Sequence, residues 1–368
     1  MTSPDLLEFF CAAAPGLEST VLDEVKSLRV ECEPVPGGIA CLGTWRDVWR
    51  ANLWLRRTSR VLVRIAQFRA VHLAQLDRKA KSVPWDNFVG SSVPIRVEAT
   101  TRRSRIYHSG AASERIAKAI AAHAPVDDDA SLRVVARIDD DLCTISVDTS
   151  GEPLYRRGYK LAVGKAPLRE HLASAFLALC DFTVGESLVD PMCGSGTLVI
   201  EAAQAAAGIA PGRDRSFAFE QLPSFDPVAW RELRNERSPD HSETPHFGFD
   251  RDTGAVRISA ENAERAGVRD FAQFRRQPIS DLKPPTSTPG LVLFNPPYGA
   301  RIGDRRKLAD LYATAGRVLR ERFSGWRVGL LCTDRKLVHT TQLPITRTSS
   351  PVPHGGLRIQ LYSTKPLP

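Results

Sequence analysis

Residues 291–299 read Leu-Val-Leu-Phe-Asn-Pro-Pro-Tyr-Gly, and they indicate which fold the second half of the chain adopts. The first four residues form an apolar run that is short enough for a buried strand. The paired prolines then end the strand, because proline cannot continue the interior of a sheet. Asn295 offers an acceptor oxygen, Pro296 a carbonyl, and Tyr298 a flat ring with a hydroxyl. These groups suit the exocyclic amino group of a nucleobase, and a strand followed by a plain proline turn is the alternative.

A glycine-rich loop precedes this stretch. Residues 189–197 read Val-Asp-Pro-Met-Cys-Gly-Ser-Gly-Thr and join a predicted strand, 187–189, to an apolar helix, 197–207. Gly194 and Gly196 allow a close approach of backbone to ligand, and the helix start offers N–H groups to a carboxylate. Asp190, at the carboxyl end of the strand, can accept a hydrogen bond from an ammonium group. Together these groups suit the amino-acid end of S-adenosylmethionine, and the loop lacks the dinucleotide and phosphate-loop patterns.

An acid follows the second predicted strand, 246–249. Asp250 stands where a carboxylate can bind two ribose hydroxyls, and capping of the next helix, 253–266, is the alternative role. Asp252 can supply the cap instead. Because the carboxyl ends of parallel strands share one edge of a sheet, we expect the glycine loop, Asp250 and Asn295 to surround one cleft.

The order of elements predicts three domains. Residues 1–67 follow a strand-helix-strand-strand-helix-strand order, which is ferredoxin-like, and residues 68–150 form a second mixed module. In residues 151–368 strands alternate with helices, as in a doubly wound sheet, and the late strand, 356–363, is expected to be antiparallel. Pro167 is predicted to open a helix. The Pro-rich segment 207–246 is expected to carry substrate contacts or to wrap the sheet.

Composition narrows the function. The chain has 368 residues and a net charge of +8, which favours a polyanionic partner or a mildly basic solvated surface. The sequence shows no apolar run that could span a bilayer and no signal peptide, so we expect a cytoplasmic protein without a membrane partner. The seven cysteines include no Cys-x-x-Cys pair, and no metal site is expected.

The second module carries basic and aromatic side chains that suit RNA. Its cationic side chains could grip phosphates. They are Arg96, Arg102, Arg103, Arg105, Arg115, Lys118 and Arg133. Trp85, Phe88 and Tyr107 could stack on unpaired bases, although Trp85 and Phe88 are better explained as core residues.

Four motifs together resemble the THUMP-domain RNA methyltransferases. They are residues 190–197, the Gly-Ile-Ala-Pro-Gly of residues 208–212, residues 295–299, and Arg157-Gly158-Tyr159 followed by Ala166-Pro167-Leu168. The resemblance implies a class I (Rossmann-like) α/β methyltransferase domain with a seven-stranded sheet, preceded by ferredoxin-like and THUMP α+β modules. Within this family the chain looks similar to the bacterial enzymes that make N2-methylguanosine in 23S ribosomal RNA. The resemblance covers nearly the whole chain.

The resemblance also implies roles for individual residues. It places S-adenosyl-L-methionine against Asp190, Pro191, Met192, Cys193, Gly194, Ser195, Gly196, Asp250, Arg251, Gln277 and Pro278. It places the target base against Asn295, Pro296, Pro297 and Tyr298. The family usually has an acid after strand three, whereas this chain has Arg276-Gln277-Pro278 there. Gln277 or Asp281 could contact the adenine in its place.

Three alternatives remain open at the level of sequence. A transfer RNA guanine-N2-methyltransferase would share every motif. A DNA adenine-N6 methyltransferase would share Asn-Pro-Pro-Tyr, since that motif does not distinguish adenine, cytosine and guanine amines. A non-catalytic RNA-binding protein would have no need of an intact glycine loop and Asn295. A monomer is favoured.

Overall fold

The structure is a computed structural model that describes residues 6–161, 168–236, 238, 241–298 and 305–368. The chain divides into two compact units. The first comprises Met1–Ala13, Val21–Leu154 and Gly212–Glu236, and the second comprises Ala14–Thr20, Tyr155–Pro211 and Arg237–Pro368. None of the helices within the described ranges is both long and apolar enough to cross a membrane.

Two mixed modules form the amino-terminal part of the chain. Their elements are β1 (Leu7–Ala12), α1 (Glu18–Lys26), β2 (Glu31–Val35), β3 (Gly38–Gly43), α2 (Trp45–Trp54), β4 (Arg60–Arg69), α3 (Leu73–Lys81), β5 (Ile95–Arg102), α4 (Ser109–Ile120), β6 (Leu132–Asp139) and β7 (Leu142–Asp148). The first six elements confirm the predicted ferredoxin-like order. Thr44 caps α2 with a capping box, which fixes where that helix begins.

Both modules share one sheet in the order β2-β3-β1-β4-β7-β6-β5. The strand β4 is central because it pairs antiparallel with β1 on one side and with β7 on the other. Trp85 is fully buried in this unit, as its core role predicted, whereas Tyr107 is 84% exposed. Phe88 is half-buried.

The rest of the chain is an α/β domain with one segment that belongs to the first unit. Its elements are α5 (Glu170–Leu179), β8 (Leu188–Asp190), α6 (Thr197–Ala206), α7 (Pro227–Asn235), β9 (His246–Asp250), α8 (Thr253–Arg265), β10 (Ala272–Arg276), β11 (Leu291–Phe294), α9 (Arg305–Arg322), β12 (Arg327–Cys332), α10 (Arg335–Thr340), β13 (Ile345–Thr348), β14 (Val352–His354) and β15 (Leu357–Thr364). The helix predicted to open at Pro167 begins at Glu170, and Pro167 lies outside the described residues.

Seven strands of the second unit form a sheet in the order β10-β9-β8-β11-β12-β15-β13, and β14 pairs with β15. The strands from β10 to β12 are parallel, and β15 is antiparallel to β12 and β13. This arrangement confirms the predicted fold class and the antiparallel late strand. The central strands β8 and β11 are buried along their whole length, as expected when helices cover both faces of a parallel sheet.

The segment Gly212–Glu236 corrects one expectation. It does not wrap the α/β sheet, because it belongs to the first unit and α7 packs against α2. Phe219 lies between Trp49 and Trp230, with ring centroids 5.9 and 4.9 Å away respectively. Phe217 stacks on Phe219 at 5.2 Å. Burial of these large apolar rings stabilises the segment as part of the first unit.

A buried ion pair fixes the start of the second unit. The guanidinium of Arg157 lies 3.4 Å from the carboxylate of Glu201 on α6, and both residues are at most 4% exposed. The hydroxyl of Tyr159 donates a hydrogen bond to the same carboxylate at 3.2 Å. Burial together with this negative charge raises the pKa of Tyr159, so its hydroxyl remains a donor. The segment that leads into α5 is thereby tied to the helix that follows the glycine loop.

Removal of one partner of this pair should be far costlier than neutralising both. Arg157→Met removes the guanidinium that faces the buried carboxylate of Glu201, and we expect the free energy of unfolding to fall by about 3–5 kcal/mol. The double variant Arg157→Met/Glu201→Gln is uncharged and keeps an acceptor for Tyr159, so it should regain most of that loss. Urea unfolding of the three proteins measures both changes. Equal destabilisation of the single and double variants would contradict a buried charge pair.

Candidate active site

Three neighbouring parallel strands deliver the predicted site residues to one edge of the sheet. The strand β8 lies between β9 and β11, with Val189 paired to Phe247 on one side and to Val292 on the other. Each strand runs in the same direction, so the segments after Asp190, Asp250 and Phe294 leave the sheet at the same edge. Open α/β sheets bind ligands outside this edge.

Asp250 braces the glycine loop. Its Oδ2 accepts a hydrogen bond from the Gly194 amide at 3.1 Å, and its Oδ1 accepts one from the Asp252 amide at 3.0 Å. The Cys193 amide donates to the Phe249 carbonyl at 2.9 Å, so a second contact ties the loop to the end of β9. Asp252 itself caps α8 by accepting from the Gly254 amide at 2.7 Å, which confirms its predicted role.

The two positions of the loop require glycine for different physical reasons. Gly194 has a φ of 55°, and a Cβ there would meet no atom within 4 Å, so its backbone faces open space. Gly196 has a φ of 80°, and a Cβ there would lie 3.0 Å from the Phe274 ring. Both torsions favour glycine. Gly194 thus leaves room for a ligand, whereas Gly196 allows tight packing against Phe274 and begins α6 without a capping side chain.

Two residues of α8 hold the loop and were missed from the sequence. The hydroxyl of Ser259 donates to the Gly194 carbonyl at 2.8 Å, and the amide of Asn262 donates to the Ser195 carbonyl at 3.0 Å. Both side chains are fully buried. The available signal was a pair of polar residues, three apart, on the same helix face as the buried Ala263 and Ala266.

The carboxyl group of Asp190 is buried at the centre of this edge. It is 2% exposed, and its Oδ1 accepts from the Met192 amide at 3.1 Å. Burial raises the pKa of Asp190 to about 8, and the negative charge of Asp250 contributes in the same direction. This edge of the sheet therefore holds a carboxyl group whose charged form lacks a cationic partner among the described residues.

The segment after β11 presents an unsatisfied acceptor. The side-chain oxygen of Asn295 is buried and accepts no hydrogen bond from any residue that the structure describes. Pro296 is buried, Pro297 is exposed, and Tyr298 is half-buried against the core of the unit. Burial raises the pKa of Tyr298 to about 12, so its hydroxyl is protonated at neutral pH. Gly299, the last residue of the motif, lies outside the described residues.

Tyr312 on α9 is a further residue that sequence reasoning missed. Its hydroxyl donates to the Pro297 carbonyl at 3.4 Å and lies 3.3 Å from the Cys332 thiol at the end of β12. The side chain is 1% exposed. This hydrogen bond helps to hold the backbone at Pro297 in place. No local pattern around position 312 pointed to the contact.

The remaining predicted residues lie beyond β9 and β10. The Gln277 amide donates to the Asp250 carbonyl at 2.8 Å, and its side-chain nitrogen donates to the Asp281 carbonyl at 2.7 Å. This leaves the side-chain oxygen of Gln277 as an acceptor. The carboxylate of Asp281 accepts from Ser280 and is exposed. Arg251 and Pro278 are also exposed.

The donor set fits S-adenosylmethionine. A buried carboxyl at Asp190 suits a cationic ammonium group, the uncapped start of α6 suits a carboxylate, and the open backbone at Gly194 leaves space for a ligand. Each oxygen of Asp250 accepts one backbone hydrogen bond, and a carboxylate retains further lone pairs for hydroxyl groups. The fold and this site define an S-adenosylmethionine-dependent methyltransferase of class I.

The chain belongs to the RMKL-like methyltransferase family, whose methyltransferase domain model matches residues 157–352. The models of the RlmL ferredoxin-like domain and of the THUMP domain match residues 8–62 and 70–148. These matches confirm the predicted family and cofactor class.

Similar proteins agree with this membership. A Synechocystis protein named a putative RNA methyltransferase is 32% identical over 365 residues, which are 95% of this chain and 94% of that protein. The ribosomal RNA large subunit methyltransferase K/L of Syntrophotalea carbinolica is 36% identical over 90% of this chain, which spans 50% of that protein. The crystal structure of SMU.472, a putative methyltransferase complexed with SAH, superposes with a TM-score of 0.88 at 26% identity and covers 100% of both chains.

The raised pKa of Asp190 predicts a pH dependence of stability. Its folded-state pKa is about 8, whereas an unfolded aspartate titrates near pH 4, so the folded protein binds more protons between these values. The stabilisation is complete below about pH 4 and is lost as pH rises to about 8. Urea unfolding of the cofactor-free protein at a series of pH values should show this loss relative to Asp190→Asn. Parallel curves of unfolding free energy against pH for the two proteins would contradict a raised pKa of Asp190.

Proposed function

We propose that this protein transfers a methyl group from S-adenosylmethionine to the exocyclic N2 amine of a guanosine in 23S ribosomal RNA. The observation that carries the proposal is the buried, unsatisfied oxygen of Asn295 at the ligand-binding edge of the sheet. A buried acceptor without a donor is costly, and an amino group of a base supplies the missing donor. The name of the K/L relative supports ribosomal RNA as the substrate.

The chain would divide this work among three domains, a ferredoxin-like domain at 1–67, a THUMP RNA-binding domain at 68–150 and a methyltransferase domain at 151–368. The net charge of +8 supports an RNA partner, since cationic side chains attract phosphates. We expect the protein to act as a monomer.

Four groups of the chain would hold the cofactor. Asp190 would accept from its ammonium group, and the start of α6 would bind its carboxylate. Asp250 would accept from the ribose hydroxyls, and the free oxygen of Gln277 would accept from the adenine amine. When bound, S-adenosylmethionine supplies an electrophilic methyl group on a sulfonium.

The motif after β11 would hold the base. The Asn295 oxygen and the Pro296 carbonyl would accept the two N–H bonds of the amine, which favours a pyramidal nitrogen with a directed lone pair. The Tyr298 ring would stack on a base that has left its helix. Because an amide is not a base at neutral pH and the pKa of Tyr298 is about 12, neither side chain takes the proton, which would leave to solvent after transfer.

The identity of the modified nucleoside tests the proposal. The protein is incubated with S-adenosylmethionine and with 23S ribosomal RNA or transfer RNA from cells that lack it, and each RNA is digested and analysed by mass spectrometry. N2-methylguanosine in 23S ribosomal RNA is the expected product. Transfer RNA as the only substrate, methylation of an adenine amine, or no methylated product would each overturn the assignment.

Asn295→Ala should abolish methyl transfer while it leaves cofactor binding nearly unchanged, since the residue contacts the base and not the cofactor. Asn295→Asp is the matched control, because it keeps an acceptor oxygen at the same place and should retain part of the activity. A radiolabel transfer assay and calorimetry with S-adenosylmethionine separate the two effects. Full turnover by Asn295→Ala would contradict the proposal that Asn295 holds the amino group of the target base.

Asp250→Ala should weaken binding of S-adenosylhomocysteine by roughly 1–3 kcal/mol, the usual effect of losing buried hydrogen bonds. An analogue without ribose hydroxyls should bind the wild type and the variant with similar affinity. Asp252→Ala removes only the cap of α8, so it should lower stability by about 1 kcal/mol without a comparable loss of affinity. If the analogue distinguishes wild type from Asp250→Ala as strongly as the parent compound does, Asp250 only braces the loop.

A further inference from the structure

We propose that the loop between β5 and α4, residues 103–108, stacks one unpaired base of the RNA on the ring of Tyr107. This inference rests on the proposed function in that it takes RNA as the substrate, and it adds a second contact site on the first unit. Tyr107 is 84% exposed, more than the other large apolar side chains that stand out from the described surface. Exposed aromatic rings are the platforms on which proteins stack single-stranded bases.

The loop is held in one conformation. Ile106 is buried at 4% exposure, and the Thr101 hydroxyl donates to the Tyr107 carbonyl at 2.9 Å. The Ser104 hydroxyl donates to the Arg102 carbonyl at 2.7 Å and accepts from the Asp141 amide at 3.0 Å. These contacts fix the backbone on both sides of the ring. A ring presented from a fixed backbone loses little conformational entropy when it binds.

An ion pair supports an unfavourable turn within the loop. Arg103 has a φ of 46°, in the left-handed region that side chains rarely adopt. Its guanidinium binds Asp139 through two nitrogens, at 3.1 and 2.8 Å. The Arg105 amide donates to the Asp141 carboxylate at 2.7 Å. The turn is therefore stabilised by Asp139 at the end of β6 and by Asp141 in the β6–β7 connection, and Tyr107 after it is exposed to solvent.

The charge around the ring matches RNA. Arg102 and Arg105 are exposed, and neither guanidinium forms an ion pair within the described part of the chain. Asp139 binds Arg103 and Arg137, Asp141 holds the loop backbone, and the exposed Asp140 between them lies 4.0 Å from Arg69. Two exposed cationic side chains within five residues of one exposed ring suit a nucleotide, whose base is flat and whose phosphate is negative.

The composition of the surface favours RNA over a protein partner. A protein interface has an apolar centre, whereas Tyr107 is the one large apolar side chain exposed between residues 101 and 110. Its exposed neighbours include arginines, His108 and Ser109. An unpaired base is required, because both faces of a paired base are covered within a duplex.

Fluorescence anisotropy with a short fluorescein-labelled single-stranded RNA tests the inference on the full chain. Tyr107→Ala should weaken binding about 5- to 150-fold, the range for loss of one base–aromatic stack. Tyr107→Phe keeps the ring and should bind like the wild type, whereas Tyr107→Leu should resemble the alanine variant. Val228→Ala is the matched control, since Val228 is also exposed, at 62%, in the same unit. Duplex RNA should not distinguish these proteins.

The salt dependence of RNA binding distinguishes the contribution of the arginines from that of the Tyr107 ring. Arg102→Ala/Arg105→Ala should reduce the slope of log Kd against log salt concentration by about 0.7 per lost phosphate contact, whereas Tyr107→Ala should leave the slope unchanged. Equal affinity of Tyr107→Ala and the wild type for single-stranded RNA would overturn the inference. Equal weakening by Tyr107→Ala and Tyr107→Phe would also overturn it, because the hydroxyl would then be the contact.

The outcome is distinguishable from failure of the proposed function. The binding assay needs no methyl transfer, and S-adenosylhomocysteine binding by each variant checks the second unit independently. If wild-type protein methylates 23S ribosomal RNA but Tyr107 variants bind single-stranded RNA normally, only the stacking site falls. If the ring contributes to binding and no N2-methylguanosine forms, only the proposed reaction falls. If Tyr107→Ala left the affinity for single-stranded RNA unchanged but weakened binding of a protein partner, the loop would be a protein-recognition site. That result would overturn the inference.

Discussion

The parallel pairing of β8 with β9 on one side and β11 on the other is the constraint on which the rest of the second unit depends. It forces three segments that are far apart in the chain to leave the sheet at one edge. Each segment then carries one kind of chemistry, a bare backbone at Gly194, a carboxylate at Asp250 and an unsatisfied amide oxygen at Asn295. A shift of one strand would separate these groups, since their distances are set by the strand ends.

Polar groups at this edge fall into two classes. Ser259 and Asn262 donate to backbone carbonyls of the glycine loop and so stabilise its shape, whereas each oxygen of Asp250 accepts one backbone hydrogen bond and keeps lone pairs for a ligand. Asn295 has a buried oxygen that accepts no hydrogen bond within the described residues, and Asp190 is a buried carboxyl whose pKa is raised by burial. Such groups are unfavourable for folding and favourable for binding, because a ligand supplies the missing partner. The division between the two classes marks where ligands are expected.

Different interactions hold the first unit together. Its sheet joins two modules through β4, and the aromatic rings of Gly212–Glu236 cluster with Trp49 of α2. The chain therefore contributes three segments to this unit, two from its amino-terminal part and one from the middle of the α/β sequence. The loop around Tyr107 on the same unit is held by Asp139 and Asp141, and the neighbouring Arg102 and Arg105 are exposed. Rigid support with exposed cations is the pattern expected of a surface that meets a polyanion.

The sequence by itself determined the features that are local. Prolines ended β11 where predicted, Thr44 and Asp252 capped their helices, and the alternation of strands and helices identified the doubly wound sheet, because each follows from neighbouring residues. Only the tertiary structure decided that Ser259 and Asn262 hold the glycine loop and that Gly196 packs against Phe274. It also decided that residues 212–236 leave the sheet and that Tyr312 supports Pro297. These contacts join residues that are distant in the chain, and their energies depend on burial and geometry that no local pattern contains.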